Sequence, residues 1–277
     1  MGKALALGGG GVTGIVWEFG MLAGLAEAGA DLSTADLIVG TSAGSVVGAQ
    51  VASGIPLEEL YAGQLAQRAN EIAARIRTRT LLAYLWAFAR SPDTASAGAR
   101  IGRLALAART VPEAERRAVI EARLPVHDWP ERRLLITAVD ARSGELVAFD
   151  RDSGVSLVDA VGASCAVPGV WPPVTINGRR WIDGGVRSAT NADLAAGCEA
   201  VVVLTPFTAG FRAMPSVARQ VARLVADGAR VTVVSPDKAA RRAIGRNVLD
   251  PARRAVSARA GRAQAASVAG TVADVWG

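Results

Sequence analysis

The stretch LALGGGGVTG, Leu5 to Gly14, runs from a short apolar segment through four consecutive glycines into a helical pattern. A glycine loop at that junction lets backbone N–H groups approach a negative charge. The charge can be the pyrophosphate of a dinucleotide or the oxyanion of an ester under attack. These ten residues alone admit both.

Around this loop, apolar runs bounded by glycine and proline predict strands at 3–7, 36–39, 133–139, 145–149, 173–176, 201–205 and 230–234. Ile15, Phe19, Leu22 and Leu25 mark a helix over 14–27, and small residues mark another over 44–52. Strand then helix, repeated, predicts an α/β three-layer sandwich with a central, largely parallel sheet flanked by helices. Residues 57–122 read as several helices punctuated by prolines, a helical cap or insertion. The Ala- and Arg-rich tail, 251–277, reads as a helix packed on the outside. The expectation is one domain over 1–277.

The glycine loop satisfies G-x-G-x-x-G through Gly9, Gly11 and Gly14. A dinucleotide site also needs an acid at the carboxyl end of the next strand. Asp36 stands at the wrong end of that strand. Its carboxyl end runs instead into Gly40-Thr41-Ser42-Ala43-Gly44, a G-x-S-x-G between strand and helix. In that setting the pattern predicts a nucleophile elbow, with Ser42 projecting from a tight turn. Two neighbouring strand ends then supply a nucleophile and a ring of amide donors.

A serine needs a base. The single histidine, His127 in LPVHDWP, precedes any later acid, so it does not fit the Ser, acid, His order and reads as a loop residue. The best carboxylate is Asp183 in RRWIDGGV, at the end of an apolar strand segment. Read by itself, Asp-Gly is equally an ordinary hairpin turn. An Asp of pKa ~3.9 is a weak base for a hydroxyl, and burial beside the serine would raise it.

In order, Gly9-Gly10-Gly11, Gly40-Thr41-Ser42-Ala43-Gly44, ASCAVPGVWPP (163–173) and Asp183-Gly184-Gly185 resemble the patatin-like phospholipases. The resemblance covers residues 3–187. It implies a Ser–Asp dyad without histidine, Ser42 as nucleophile and Asp183 as base. It implies an oxyanion loop at Gly9, Gly10 and Gly11, with Gly14, Gly40, Gly44, Gly184 and Gly185 supporting it. The substrate it implies is a lipid or other acyl ester, with no cofactor and no metal. One position departs: where the family carries Arg or Lys in the glycine motif, this chain has Thr13, which can also cap its own helical turn.

Net charge is +6 with 31 Lys and Arg against 25 Asp and Glu, and hydrophobic residues make up 51%. Such an excess admits peripheral contact with anionic membrane, but the scattered arginines lack an aromatic-interleaved pattern for nucleic acid and read mostly as solvated helix faces. Two cysteines and no leader-like start predict a reducing, cytoplasmic setting, with peripheral membrane contact. The run LLAYLWAFA (81–89) is too short for the ~20 residues of a span. Tyr84, Trp86 and Phe88 fit an interfacial cap or a buried cap helix. The buried helix is the expectation, since an aromatic stripe is usually core. Two rival readings stand beside the hydrolase: a non-catalytic patatin-like binding module and a dinucleotide oxidoreductase.

Overall fold

The computed structural model describes residues 2–66, 73–207 and 213–277. Its strands are β1 (Lys3–Leu7), β2 (Leu37–Thr41), β3 (Arg133–Asp140), β4 (Leu146–Phe149), β5 (Val174–Ile176), β6 (Arg179–Asp183), β7 (Ala200–Leu204) and β8 (Arg230–Val234). They form one sheet in the order β5-β6-β3-β2-β1-β7-β8, with β4 also paired to β3. The β3-β2-β1-β7-β8 stretch is parallel, whereas β4, β5 and β6 pair antiparallel. The chain thus has an α/β fold with a mixed, mostly parallel sheet. β6, the strand segment that ends at Asp183, closes a hairpin with β5 through Asn177-Gly178. Both turn residues have positive φ, 50° and 74°, the geometry a two-residue type I′ turn requires.

The helices are α1 (Gly11–Glu27), α2 (Ala43–Ala52), α3 (Leu57–Leu65), α4 (Thr78–Ala89), α5 (Thr94–Ala107), α6 (Glu113–Glu121), α7 (Leu157–Ser164), α8 (Val217–Ala226), α9 (Lys238–Ile244) and α10 (Arg254–Trp276). Helices cover both faces of the sheet. Along β1, Leu5 and Leu7 join the core shared with α1, α2 and α10, and Ala4 and Ala6 join the core beneath α8. That alternation follows from the two-residue period of a strand buried on both sides. A third cluster places Phe88 of α4 and Ile101 of α5 against Val139 and Ile182, above the site end of the sheet.

Two expectations change. The tail helix α10 is not a peripheral addition: Ala258, Ala265, Val272 and Trp276 are buried in the main core. Its backbone lies so close to α1 that a Cβ on Gly20 would stand 2.0 Å from the Ala258 carbonyl oxygen. Helix α4 is not the buried cap helix either. It buries Thr80, Ala87 and Phe88 but exposes Leu81, Leu82, Leu85 and Trp86. The rest of the 57–122 block is helical as read, apart from residues 67–72, which lie outside the described residues.

Candidate active site

Ser42 follows the last residue of β2 and caps α2, with φ 52° and ψ −112°. A positive φ is costly for a residue with a side chain, and the surroundings must impose it. They do so through two crowded glycines. A Cβ on Gly44 would lie 2.1 Å from the Leu7 carbonyl oxygen, and one on Gly40 2.7 Å from Cα of Ser45. The Gly44 N–H donates to the Gly8 carbonyl (3.0 Å), tying the elbow to the glycine loop. The Ser42 N–H donates to Oγ of Ser164 (2.8 Å), and its carbonyl accepts from Oγ of Ser45 (2.6 Å) and Sγ of Cys165 (3.3 Å). Only the side chain is left to work.

That side chain donates to Asp183: Ser42 Oγ lies 2.7 Å from Oδ2. The sheet explains the meeting. At Thr137, β3 pairs with Thr41 of β2, and at Ala138 with Asp183 of β6. Because β4 occupies the other edge from Ile136 to Val139, β2 and β6 meet end to end along one edge of β3. The second carboxylate oxygen, Oδ1, accepts the Gly185 N–H at 2.7 Å, which fixes the ring-like DGG turn. Asn191 braces the junction from behind. Its amide nitrogen is within bonding range of Thr41 Oγ1 (3.0 Å), Thr137 Oγ1 (3.2 Å) and the Gly184 carbonyl (3.3 Å). It holds a left-handed backbone, φ 46° and ψ 35°, which asparagine tolerates better than most residues.

Ser42 and Asp183 are both buried. Burial pushes the Asp183 carboxyl up to about 6, against the opposing pull of the Ser42 and Gly185 hydrogen bonds and the Arg116 charge. A carboxylate titrating there is ionised at neutral pH yet basic enough to accept a hydroxyl proton.

The glycine loop lies alongside. A Cβ on Gly9 would be 3.6 Å from that of Ser42, but the Gly9 N–H is already given to the Ala189 carbonyl (2.8 Å). The N–H groups of Gly10 and Gly11 stand at the start of α1, where backbone amides have no intrahelical acceptor. Gly14 packs on Pro206 and Ala43. Thr13 does not cap its own turn: its N–H and Oγ1 both donate to the Val248 carbonyl (3.1 and 3.3 Å). Leu249, next in the chain, closes the cavity over Ser42 together with Trp171, Arg116 and Arg123. That cavity holds about 20 Å³, room for about one water. Arg116 stacks on Trp171, 4.0 Å from the ring centroid.

Several of these residues were beyond the sequence reading. Ser164, Asn191, Arg116, Arg123 and Val248 are far from the motifs along the chain. Glu18 was visible as an acid inside an apolar helical run. It is fully buried and its Oε1 accepts the Gly8 N–H at 3.1 Å. His127 is exposed and bonds the Glu121 carbonyl rather than facing Ser42. Asp36 accepts the Lys3 N–H (2.7 Å) at the opposite end of the sheet from Ser42, so it offers nothing to a ribose beside the glycine loop. Among the described residues, no three His, Cys, Asp or Glu side chains cluster as metal ligands would.

The model for the patatin-like phospholipases matches residues 5–196, which include the glycine loop, the elbow and the DGG turn. This chain belongs to the patatin-like phospholipase family. Solved structures with a similar course include VipD from Legionella pneumophila, at 11% identity and a TM-score of 0.48 over 97% of this chain and 66% of VipD. They also include the type III effector protein ExoU, at 17% identity and 0.44 over 99% of this chain and 53% of ExoU. The chain thus spans less than two thirds of either protein's length. No match was found among curated proteins. Patatin-like membership makes this a lipid-acting hydrolase family, and no helix of the described residues is long and apolar enough to cross a membrane.

Proposed function

We propose that this patatin-like chain is a serine acyl hydrolase, of lipase or phospholipase A type, working through Ser42 and Asp183. The observation that carries the reading is the 2.7 Å hydrogen bond between a buried elbow serine and a buried carboxylate raised to about 6. Asp183 Oδ2 takes the Ser42 proton as Oγ attacks the ester carbonyl carbon. The oxyanion so formed faces the Gly10 and Gly11 N–H groups and the positive end of α1. Collapse expels the alcohol, which takes the proton from Asp183 and leaves an acyl-Ser42. Water then attacks the acyl carbon and gives its proton to Asp183. Collapse releases the fatty acid and returns that proton to Ser42. The chain's own groups balance every proton, without cofactor or metal.

The substrate is a lipid acyl ester, met at an anionic membrane surface in a cytoplasmic, reducing compartment. The buried Cys165 thiol beside Ser42 is compatible with that setting. In this reading residues 1–277 work as one domain, with the 57–122 helices as the cap over the site. The nearly filled cavity requires Leu249 or the Trp171–Arg116 stack to move when an acyl chain enters. A second reading, a lipid-binding module with an idle serine, draws on that same closure and on Thr13 in place of a cation.

The test is hydrolysis of p-nitrophenyl esters of graded chain length by the parent, Ser42→Ala and Asp183→Asn. The hydrolase reading expects turnover in the parent and a loss of at least about 10³-fold in each variant. A folded parent without turnover, in buffer and with lipid micelles, would leave the binding module.

A further inference from the structure

Among the described residues ten large hydrophobic side chains stand exposed, and four of them lie within six residues of α4. They are Leu81, Leu82, Leu85 and Trp86, with Leu82 and Trp86 at 60% and 57% exposure. Scattered apolar residues on a surface need no explanation, but a contiguous patch does. Spaced i, i+1, i+4 and i+5, these four form one stripe along the helix. The opposite face of α4 is anchored: Phe88 and Ala87 pack in the third cluster, and the Tyr84 hydroxyl donates to the Pro168 carbonyl. The stripe is therefore held outward by a fixed helix.

Charge surrounds it. Arg79 and Arg90 lie one turn before and after the stripe, and the Arg100 guanidinium sits 5.5 Å from the Trp86 ring centroid. Residues 73–112 carry seven arginines against one acid, Asp93, a net +6 equal to that of the whole chain. The remainder of the chain is thus neutral in sum, and the net positive charge is carried by the segment that holds α4 and α5. Beside the stripe a groove of about 1420 Å³, lined by Arg75, Arg77, Arg79 and Arg109, reaches Trp171, which also lines the cavity over Ser42.

We infer that this arginine-rimmed face of α4 seats the protein on an anionic lipid surface, with Leu82 and Trp86 entering the interfacial layer and the arginines meeting phosphate head groups. An apolar stripe beside snorkelling cations matches a bilayer interface. A second copy does not fit the face, because two such arginine-rich segments repel. The inference deepens the acyl-hydrolase reading and rests on it for the purpose of docking, which brings the groove leading to Trp171 against the lipid.

The experiment is co-sedimentation with vesicles of mixed phosphatidylglycerol and phosphatidylcholine, and of phosphatidylcholine alone. It compares the parent with Leu82→Ser/Trp86→Ala and with Arg79→Gln/Arg90→Gln, and p-nitrophenyl butyrate hydrolysis is measured in parallel. The parent binds the anionic vesicles more tightly and is released by about 0.5 M salt. The apolar double variant loses at least about tenfold in apparent affinity, and the arginine variant loses the preference for anionic vesicles. Unchanged butyrate turnover in both shows that fold and site persist. A chain inactive on butyrate that still binds sinks the hydrolase reading and leaves the docking face standing. The inference is overturned if the parent ignores anionic vesicles, or if the apolar variant sediments like the parent. It is equally overturned if the parent is a dimer in solution that Leu82→Ser/Trp86→Ala dissolves, since the face then belongs to a second copy.

Discussion

Thr41 and Asp183 are held against consecutive residues of one strand, Thr137 and Ala138, and the hydroxyl of the intervening Ser42 closes the gap to Asp183 at 2.7 Å. Sheet register, rather than a flexible loop, sets this separation. A shift by a single residue moves a strand by about 3.3 Å and turns each side chain to the other face. The Ser42–Asp183 geometry is thereby tied to the stability of the β3–β6 pairing.

Gly184 directly follows that pairing and has no room for a side chain. A Cβ there would lie 2.3 Å from Thr137 Oγ1 and 2.5 Å from its carbonyl oxygen. Gly184→Ala therefore destabilises the fold by about 2–4 kcal/mol and lowers turnover even where the protein remains folded. Urea unfolding with esterase assays at low temperature reads both effects. A variant as stable and active as the parent would show that the turn is not constrained as described.

Activity and stability respond to pH in opposite senses through Asp183. Ester turnover rises as Asp183 loses its proton, with a midpoint near the value of about 6 set by burial. The raised folded-state pKa means that the fold binds the proton more tightly than the unfolded chain does. Its contribution is fully present below the unfolded value and lost as pH rises through about 6. Asp183→Asn removes that loss and raises stability at about pH 8 by about 1–3 kcal/mol relative to the parent, while abolishing turnover. A variant less stable than the parent at high pH would count against a strained carboxylate.

Glu18 extends the same logic behind the glycine loop. Complete burial drives its carboxyl well above the ordinary value, opposed only by the Gly8 N–H bond. Among the described residues its Oε2 has no hydrogen-bond partner. The protonated side chain is favoured in the fold, so its contribution fades as pH rises above the usual carboxylate range. Glu18→Gln, which keeps the acceptor for Gly8, flattens the stability profile from about pH 5 to about pH 8. Denaturant midpoints across that range are the check, and profiles of equal slope would place the effect elsewhere.

Asn191 links Thr41, the residue before Ser42, to Gly184, the residue after Asp183. Asn191→Ala loses the bonds to Thr41, Thr137 and Gly184, and kcat falls by about 10- to 100-fold with KM little changed. Asn191→Gly keeps the left-handed backbone without the amide. If the side chain positions the dyad, it is as impaired as the alanine variant; if the backbone alone matters, it recovers parental turnover.

The sequence reading reached the layered sheet and the four motif blocks because each rests on local chemistry. Apolar runs specify buried strands, and glycine clusters mark where backbone must pass close. It read a strand segment ending at Asp183 but did not join it to the strand before it, although Asn177-Gly178 between them is a hairpin signal. It misjudged α4 because an aromatic stripe looks the same whether it faces a core or a lipid. The polarity of its outward face appears only once the helix is seated by Phe88 and Tyr84. Val248 over Thr13, and Arg116 with Arg123 over Ser42, join residues far apart in the chain. Such contacts are products of tertiary packing, with no periodicity or spacing to announce them.

The most direct measurement is fluorophosphonate labelling of the intact protein, with the modified peptide located by mass spectrometry. The account predicts one phosphonyl adduct, on Ser42, absent from Ser42→Ala and slowed in Asp183→Asn. An adduct on another residue, or undiminished labelling of Ser42→Ala, would contradict it.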